Sequence, residues 1–267
     1  MLWRTDGGFN SMAERSGRER RARRAATITI VALTLAVLSA VAVLTSGPAH
    51  RVGLLGARWA IGVFAVAGLV SLAAAALALG GLTVALSARA WRSVTGSFVA
   101  LALGLASGWL PLTMARSAAS VPLIHDITTD TDRVPQWVAL QSRRAAAENG
   151  AAYGGPAVAA LQKRGYPDVA PLMLAVPPGR AFARAEAAAR SMGWRIVAAA
   201  PAEGRLEASD TTRWFGFTDD IVVRVTPAPN GSRIDVRSAS RVGRSDLGVN
   251  ARRIRAFIAA VATGGAR

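Results

Sequence analysis
Three stretches without a single charged residue, 25–44, 59–86 and 94–112, limit what this chain can fold into more than any other feature. A helix needs about 20 apolar residues to cross a hydrocarbon core, where no water is present to satisfy backbone N–H and C=O groups. All three stretches are close to or above that length, so residues 25–116 are expected to form three transmembrane helices. The first is too long for the apolar region of a cleaved leader and two more follow it, which favours an uncleaved anchor. Trp59, Trp91 and Trp109 stand at segment ends, where the amphipathic indole suits the membrane interface. An uncharged interior argues against a proton relay or ion path, because those functions leave ionisable side chains inside the membrane. Gly104 and Gly108 form a GxxxG pair, read as packing within the bundle in preference to a dimer seam.

The arginines between these segments set the expected topology. With the N-terminus inside, the inner flanks carry the tail residues Arg15, Arg18, Arg20, Arg21, Arg23 and Arg24 together with Arg89 and Arg92. The outer flanks carry only Arg51, Arg58 and Arg116. Positive flanks stay in the cytoplasm. Residues 1–24 are therefore expected to be a basic, irregular cytoplasmic tail, and residues 117–267 an extracytoplasmic domain of a multi-pass protein of the cell (inner) membrane.

Net charge is +16, and the excess of basic over acidic residues is four in 1–24, five in 25–119 and seven in 120–267. A nucleic-acid partner is not expected, since the arginines of the third block are interleaved with acids and form no basic run. Lys163 is the only lysine, and the arginine excess is read as compositional bias. With no cysteine there is no disulfide framework, thiolate metal site or cysteine nucleophile. A domain of nearly 150 residues can bury a core without such staples.

From residue 117 the composition turns mixed. IHDITTDTDRVP reads as an extended lead-in, residues 136–147 as a short helix, and 158–163 as about one helical turn between AAYGG and KRGYPDVAP. A strand is expected over 172–176. Phe182, Ala185, Ala189 and Met192 then share one helical face before Gly193. Residues 194–200 and 205–210 flank PAEG as a hairpin, and 218–226 and 233–241 flank PAPNG as a second one. Leu247, Ala251, Ile254, Ile258 and Val261 mark the buried stripe of a closing helix, capped by Ser245 or Asp246. The order predicts an α+β domain, an antiparallel sheet with helices on one face.

The second hairpin gathers the unusual residues. Placing Ile221, Val223 and Val225 on one face with Ile234 and Val236 pairs 225 with 234, 223 with 236 and 221 with 238. On the other, exposed face Arg224 then meets Asp235, and Asp220 lies diagonal to both Arg237 and Arg241. Ser238 and Ser240 keep the inward parity, so they must find buried partners. Arg241, Gly243, Arg244 and Ser245 lead into a helix start, where free N–H groups favour an anion. The candidate ligand set is Arg237, Ser238, Ser240, Arg241, Arg244 and Ser245. The competing reading is a structural network of Asp219, Asp220, Arg224, Asp235, Asp246 and Asn250 that neutralises those arginines.

IHDITTDTD, YPDVAPL, MGW, WFGFTDD and RSASRVGRSDLGVNARRI together closely resemble the domain-of-unknown-function 1499 family, over residues 120–262. The resemblance implies a bacterial or plastid protein, often membrane-tethered, with no established activity. It maps the family's characteristic residues onto Asp219, Asp220, Arg237, Ser238, Ser240, Arg241, Gly243, Asp246, Gly248 and Asn250. Some members open the domain with a cysteine-containing segment; this chain has none, so no thiol role carries over.

Chemistry is weighed last. His125, Asp126, Asp130 and Asp132 look metal-like, but the glycine and terminal glutamate of a calcium loop are missing, and no metal or cofactor is expected. A serine triad would need His125 and has no G-x-S-x-G elbow. Asp219 and Asp220, adjacent on a strand, point to opposite faces. The expectation is an envelope protein that binds the lipid bilayer and a polar or anionic ligand, such as an anionic lipid, a wall polymer or a partner protein. The alternative is a membrane-tethered hydrolase or transferase using Asp219 or Asp220 with His125.

Overall fold
The computed structural model describes residues 6–264, with side chains from Glu14 onward; the first five residues of the basic tail and the last three of the chain lie outside the described residues. The chain divides into two units, residues 1–115 and 116–267. In the first, the apolar stretches form α1 (Asp6–Arg51), α2 (Ala57–Ser87) and α3 (Trp91–Ser120). By length and composition these three helices could span a membrane, which supports a membrane protein. From Asp6 onward the tail is helical, where irregular chain was expected. Arginine, alanine and glutamate are strong helix formers, and a helix already nucleated in the apolar segment extends at one hydrogen bond per residue.

Small residues let the helices approach. A Cβ on Gly104 would lie 2.6 Å from the Ser71 carbonyl oxygen, and one on Gly108 would lie 2.7 Å from the Leu72 side chain. The GxxxG pair therefore packs α3 against α2 inside the bundle. Hydroxyls tie the same seam: Ser107 Oγ donates to Ser71 Oγ (3.0 Å), which donates to Ser39 Oγ on α1 (2.9 Å).

The second unit is built on a six-stranded antiparallel sheet: β1 (Asp126–Thr128), β2 (Leu172–Leu174), β3 (Arg195–Ala200), β4 (Arg205–Thr211), β5 (Thr218–Ala228) and β6 (Gly231–Ser240). Its order is β1-β6-β5-β4-β3, with β2 also paired to β6. The β5–β6 register is the expected one, including Ile221↔Ser238, Val223↔Val236, Val225↔Ile234 and Arg224↔Asp235. α6 (Pro178–Ser191) and α7 (Val249–Ala262) pack on one face. There Phe182, Ala185, Ile254, Phe257 and Val261 bury against Ile127, Ile221, Val223, Ile234 and Val236. The stripe of α7 runs through Phe257, with Ile258 only partly buried. Trp194 stacks on Phe257 at 5.0 Å.

The opposite face is not exposed as expected. Residues 129–153, which carry α4 (Gln141–Ala145), fold over it, and Trp137 and Leu140 bury against Val222 and Ala239. α5 (Gly155–Gly165) follows and is longer than the single turn expected. Its buried Gln162 brackets Thr128 of β1, accepting from the backbone N–H (2.9 Å) and donating to the C=O (2.6 Å). Replacing Gly104 by Leu should overpack the α2–α3 seam and cost about 1–3 kcal/mol. The expected outcome is a lower melting temperature in detergent with an unchanged oligomeric state by light scattering.

Candidate functional site
Strand geometry sends neighbouring residues to opposite faces, and this splits the charged motif of β5 and β6 into two separate networks. On the helix side, Asn250 in the first turn of α7 acts as a hub. Its Oδ1 accepts from Ser238 Oγ (2.7 Å) and Arg253 Nη1 (2.6 Å), and its Nδ2 donates to Ser240 Oγ (3.1 Å) and the His125 carbonyl (3.0 Å). Arg253 also donates to Asp219 (2.8 Å) and Asp210 (2.9 Å). The two inward serines thus find the partners that burial demands.

The start of α7 is where an anion was expected to bind. It is already filled by the chain's own carboxylate, because Asp246 accepts the N–H groups of Gly248 (3.0 Å) and Asn250 (2.7 Å). This geometry needs two consecutive left-handed residues, Leu247 (φ 52°) and Gly248 (φ 75°). Glycine adopts that conformation freely, whereas leucine does so at a cost of about 1–2 kcal/mol. Burial raises the Asp246 pKa despite the two N–H donors. Ser245 Oγ accepts the Leu247 N–H (3.2 Å) and does not close an external site.

On the covered face, Asp220 is 0% exposed. Its carboxylate accepts from Ser209 (2.8 Å), from Arg241 through both Nη2 (2.8 Å) and Nε (2.9 Å), and from Arg144 (3.3 Å). Arg237 does not reach Asp220. It is held by both oxygens of Asp126, at 3.0 and 2.7 Å. The Trp137 ring lies 4.9 Å from the Arg144 guanidinium and 4.8 Å from that of Arg237, so one indole faces two cations. Tyr153 lies beside Arg237, and burial, followed by the Asp126 charge, pushes its hydroxyl up to about 12. It therefore stays protonated, with no hydrogen-bond partner among the described residues. Glu207 is also fully buried; it pairs with Arg205 and accepts the N–H groups of Val138, Ala139 and Leu140 at 2.8–3.0 Å.

Further along the sheet, Asp235 binds Arg224 and Arg233, both at 3.0 Å, and both arginines also reach Asp130. Burial pushes the Asp130 carboxyl up, but the N–H groups of Arg133 and Asp132 and the nearby arginines outweigh it and hold it below the usual carboxylate range.

The six candidate ligand residues therefore do not converge. Ser238 and Ser240 face the helices, Arg237 and Arg241 face the cover, and Arg244 is exposed with no ion pair among the described residues. Asp219 and Asp220 answer to different arginines on different faces. His125 is half-buried, and burial lowers its pKa although Asp126 opposes this, so the imidazole is held neutral. No three His, Asp or Glu side chains gather in metal-binding geometry among the described residues. Arg253, Arg144, Asp126, Glu207 and Trp137 were not singled out as network residues from the sequence. Only Arg253 left a usable signal, three residues from Asn250 and four from Phe257 on one helical face.

One family model, described as "Protein of unknown function (DUF1499)", matches residues 126–261, from the first residue of β1 to the last turn of α7. The chain belongs to the DUF1499 family. No curated protein and no solved structure matches it. The DUF1499 match takes in both networks, the sheet between them and the cover. Replacing Asp220 by Ala should strand Arg144 and Arg241 without their buried counter-charge and cost about 3–5 kcal/mol. Urea unfolding of the full-length protein in detergent should show that loss, well above the change from replacing the exposed Asp168.

Proposed function
We propose that this DUF1499 protein is a membrane-anchored envelope module whose C-terminal domain lies outside the cytoplasm and binds an anionic group on a lipid, a wall polymer or a partner protein. The supporting observation is how its arginines are used. Those in the interior are consumed by carboxylates, whereas the β6–α7 loop, 241–248, brings Arg244 to the surface at the end of the sheet where the β4–β5 loop, 212–217, exposes Trp214. The acid of those loops, Asp246, is buried and turned to the α7 N–H groups. An anion can dock against Arg244 there without breaking an internal pair. The exposed indole of Trp214, on the other loop at that end, offers a flat apolar contact. Arg241 is committed to Asp220, so of the residues first considered Arg244 is the one available to a ligand.

The orientation rests on the arginine flanks, eight inside against three outside. A reporter active only in the cytoplasm should be silent when fused after Arg267; activity there would overturn the topology. For the ligand, full-length protein in phosphatidylcholine nanodiscs can be titrated with poly(glycerol phosphate). The expected result is saturable binding that weakens with salt and falls about fivefold in Arg244→Ala, on the order of 1 kcal/mol, with an unchanged melting temperature. Equal binding by the variant would sink the reading.

A further inference from the structure
A groove of about 500 Å³ runs between α1 and α2. Leu35, Leu38 and Ala42 form one wall, and Trp59, Val63 and Val66 the other. On α2 its lining runs from Trp59 to Val70, a rise of about 16 Å at 1.5 Å per residue. That is about half of the ~30 Å hydrocarbon core, one leaflet deep. The groove makes no polar demand on an occupant. Its one hydroxyl, on Ser39, already donates to the Ala36 carbonyl (3.2 Å) and accepts from Ser71 (2.9 Å). At the loop end of the groove stands the exposed indole of Trp59, next in the first turn of α2 to the exposed cation Arg58 and preceded by a connecting loop whose Val52 and Leu54 are also exposed. The apolar channel thus opens under an interfacial aromatic and a positive charge.

We propose that this groove holds one acyl chain of an anionic phospholipid from the leaflet on the α1–α2 loop side, with its phosphate against Arg58. The reading concerns the membrane helices alone and stands apart from the anion site of the C-terminal domain. Charge and depth both select this occupant. A hydrocarbon chain fits a slot one leaflet deep with no unmet hydrogen bond, and a headgroup phosphate finds Arg58 at the interface where lipid phosphates lie. A second copy fits worse. All copies insert with the same topology, so a two-fold axis would run along the membrane normal and bring Arg58 to the same depth as the partner's Arg58, where like charges repel.

Gly62 supplies the test, because a Cβ built there meets no atom within 4 Å and Gly62 lines the groove. Gly62→Phe should fill the slot without disturbing the α1–α2 contact. The experiment is native mass spectrometry of the full-length protein released from vesicles of three parts phosphatidylcholine to one part phosphatidylglycerol. Wild-type protein should retain one phosphatidylglycerol. Gly62→Phe should lose it at least tenfold while its melting temperature holds. Arg58→Gln should keep a lipid but lose the preference for phosphatidylglycerol over phosphatidylcholine. Equal retention by Gly62→Phe would overturn the site, equal headgroup preference in Arg58→Gln would overturn the role of Arg58, and a wild-type dimer that Gly62→Phe dissolves would show that a second copy occupies the groove.

Discussion

A carboxylate taken out of water loses several kcal/mol of hydration, and Asp220 has lost all of it. What makes its position tenable is Arg144, which comes from outside the sheet, and Arg241, which comes from the end of β6. Each arginine brings the same problem in reverse. The two Nη groups of Arg144 also donate to the carbonyls of Ala239 (2.9 Å) and Gly150 (2.9 Å), one on the sheet and one on the cover, while its Nε–H is buried without a partner among the described residues. The cover is therefore bound to the sheet through charges that neither side could bury alone. Removing the segment 129–153 would expose a row of acids and arginines, and removing the acids would leave only the apolar contacts of Trp137 and Leu140 with Val222 and Ala239 to hold the segment.

The same dependence recurs along the covered face. Glu207 caps the backbone at 138–140 much as an N-terminal acid caps a helix, so a strand residue fixes the path of the cover. Asp126 fixes Arg237, and Trp137 lies against the guanidinium of that arginine and of Arg144. On the opposite face the hydrophobic contacts of α6 and α7 could form without any of this. The polar hub of Asn250 and Arg253 appears only at the sheet end, where the apolar residues of β5 and β6 give way to Asp219, Ser238 and Ser240. Apolar packing accounts for the layers on the helix side, and ion pairing joined to a small apolar cluster of Trp137, Leu140, Val222 and Ala239 for the layer on the other.

Much of this was legible in the chain. Uncharged runs dictated three long helices because a continuous apolar segment of about 20 residues can satisfy its own backbone in lipid only as a helix, whereas barrel strands are shorter and alternate. The alternation of Ile221, Val223 and Val225 with polar neighbours dictated the β5–β6 register, since a slip of one residue would turn the whole apolar set outward. The covered face was not legible for the same reason that made the register readable. Alternation says only that polar residues share a side, and water is the default partner for that side. Nothing local in GRLEASD marks Glu207 as the acceptor of three backbone N–H groups 67 to 69 residues away. Helix starts are similarly ambiguous: a Ser-Asp pair before an apolar stripe reads equally as a cap and as the rim of an anion site. The N-cap position itself is Gly248 and not Ser245 or Asp246, and the Asp246 carboxylate two residues earlier occupies N–H groups an anion would need.

The abundance of arginine also takes on a physical sense beyond composition. Arg237 bridges Asp126 with two nitrogens and reaches the Pro135 carbonyl with a third; Arg253 joins Asp210, Asp219, Ser238 and Asn250 at once. A planar fork of five donors can serve several acceptors in one buried plane, whereas an ammonium is a compact charge with three. Lysine at these positions would leave acceptors unmet in the interior, a larger penalty than the weakened ion pair itself. The exposed Lys163, with its loose contact to Asp132 at 3.7 Å, sits where such geometry is not required. Burial of the networks, more than their charge, therefore restricts these positions to arginine.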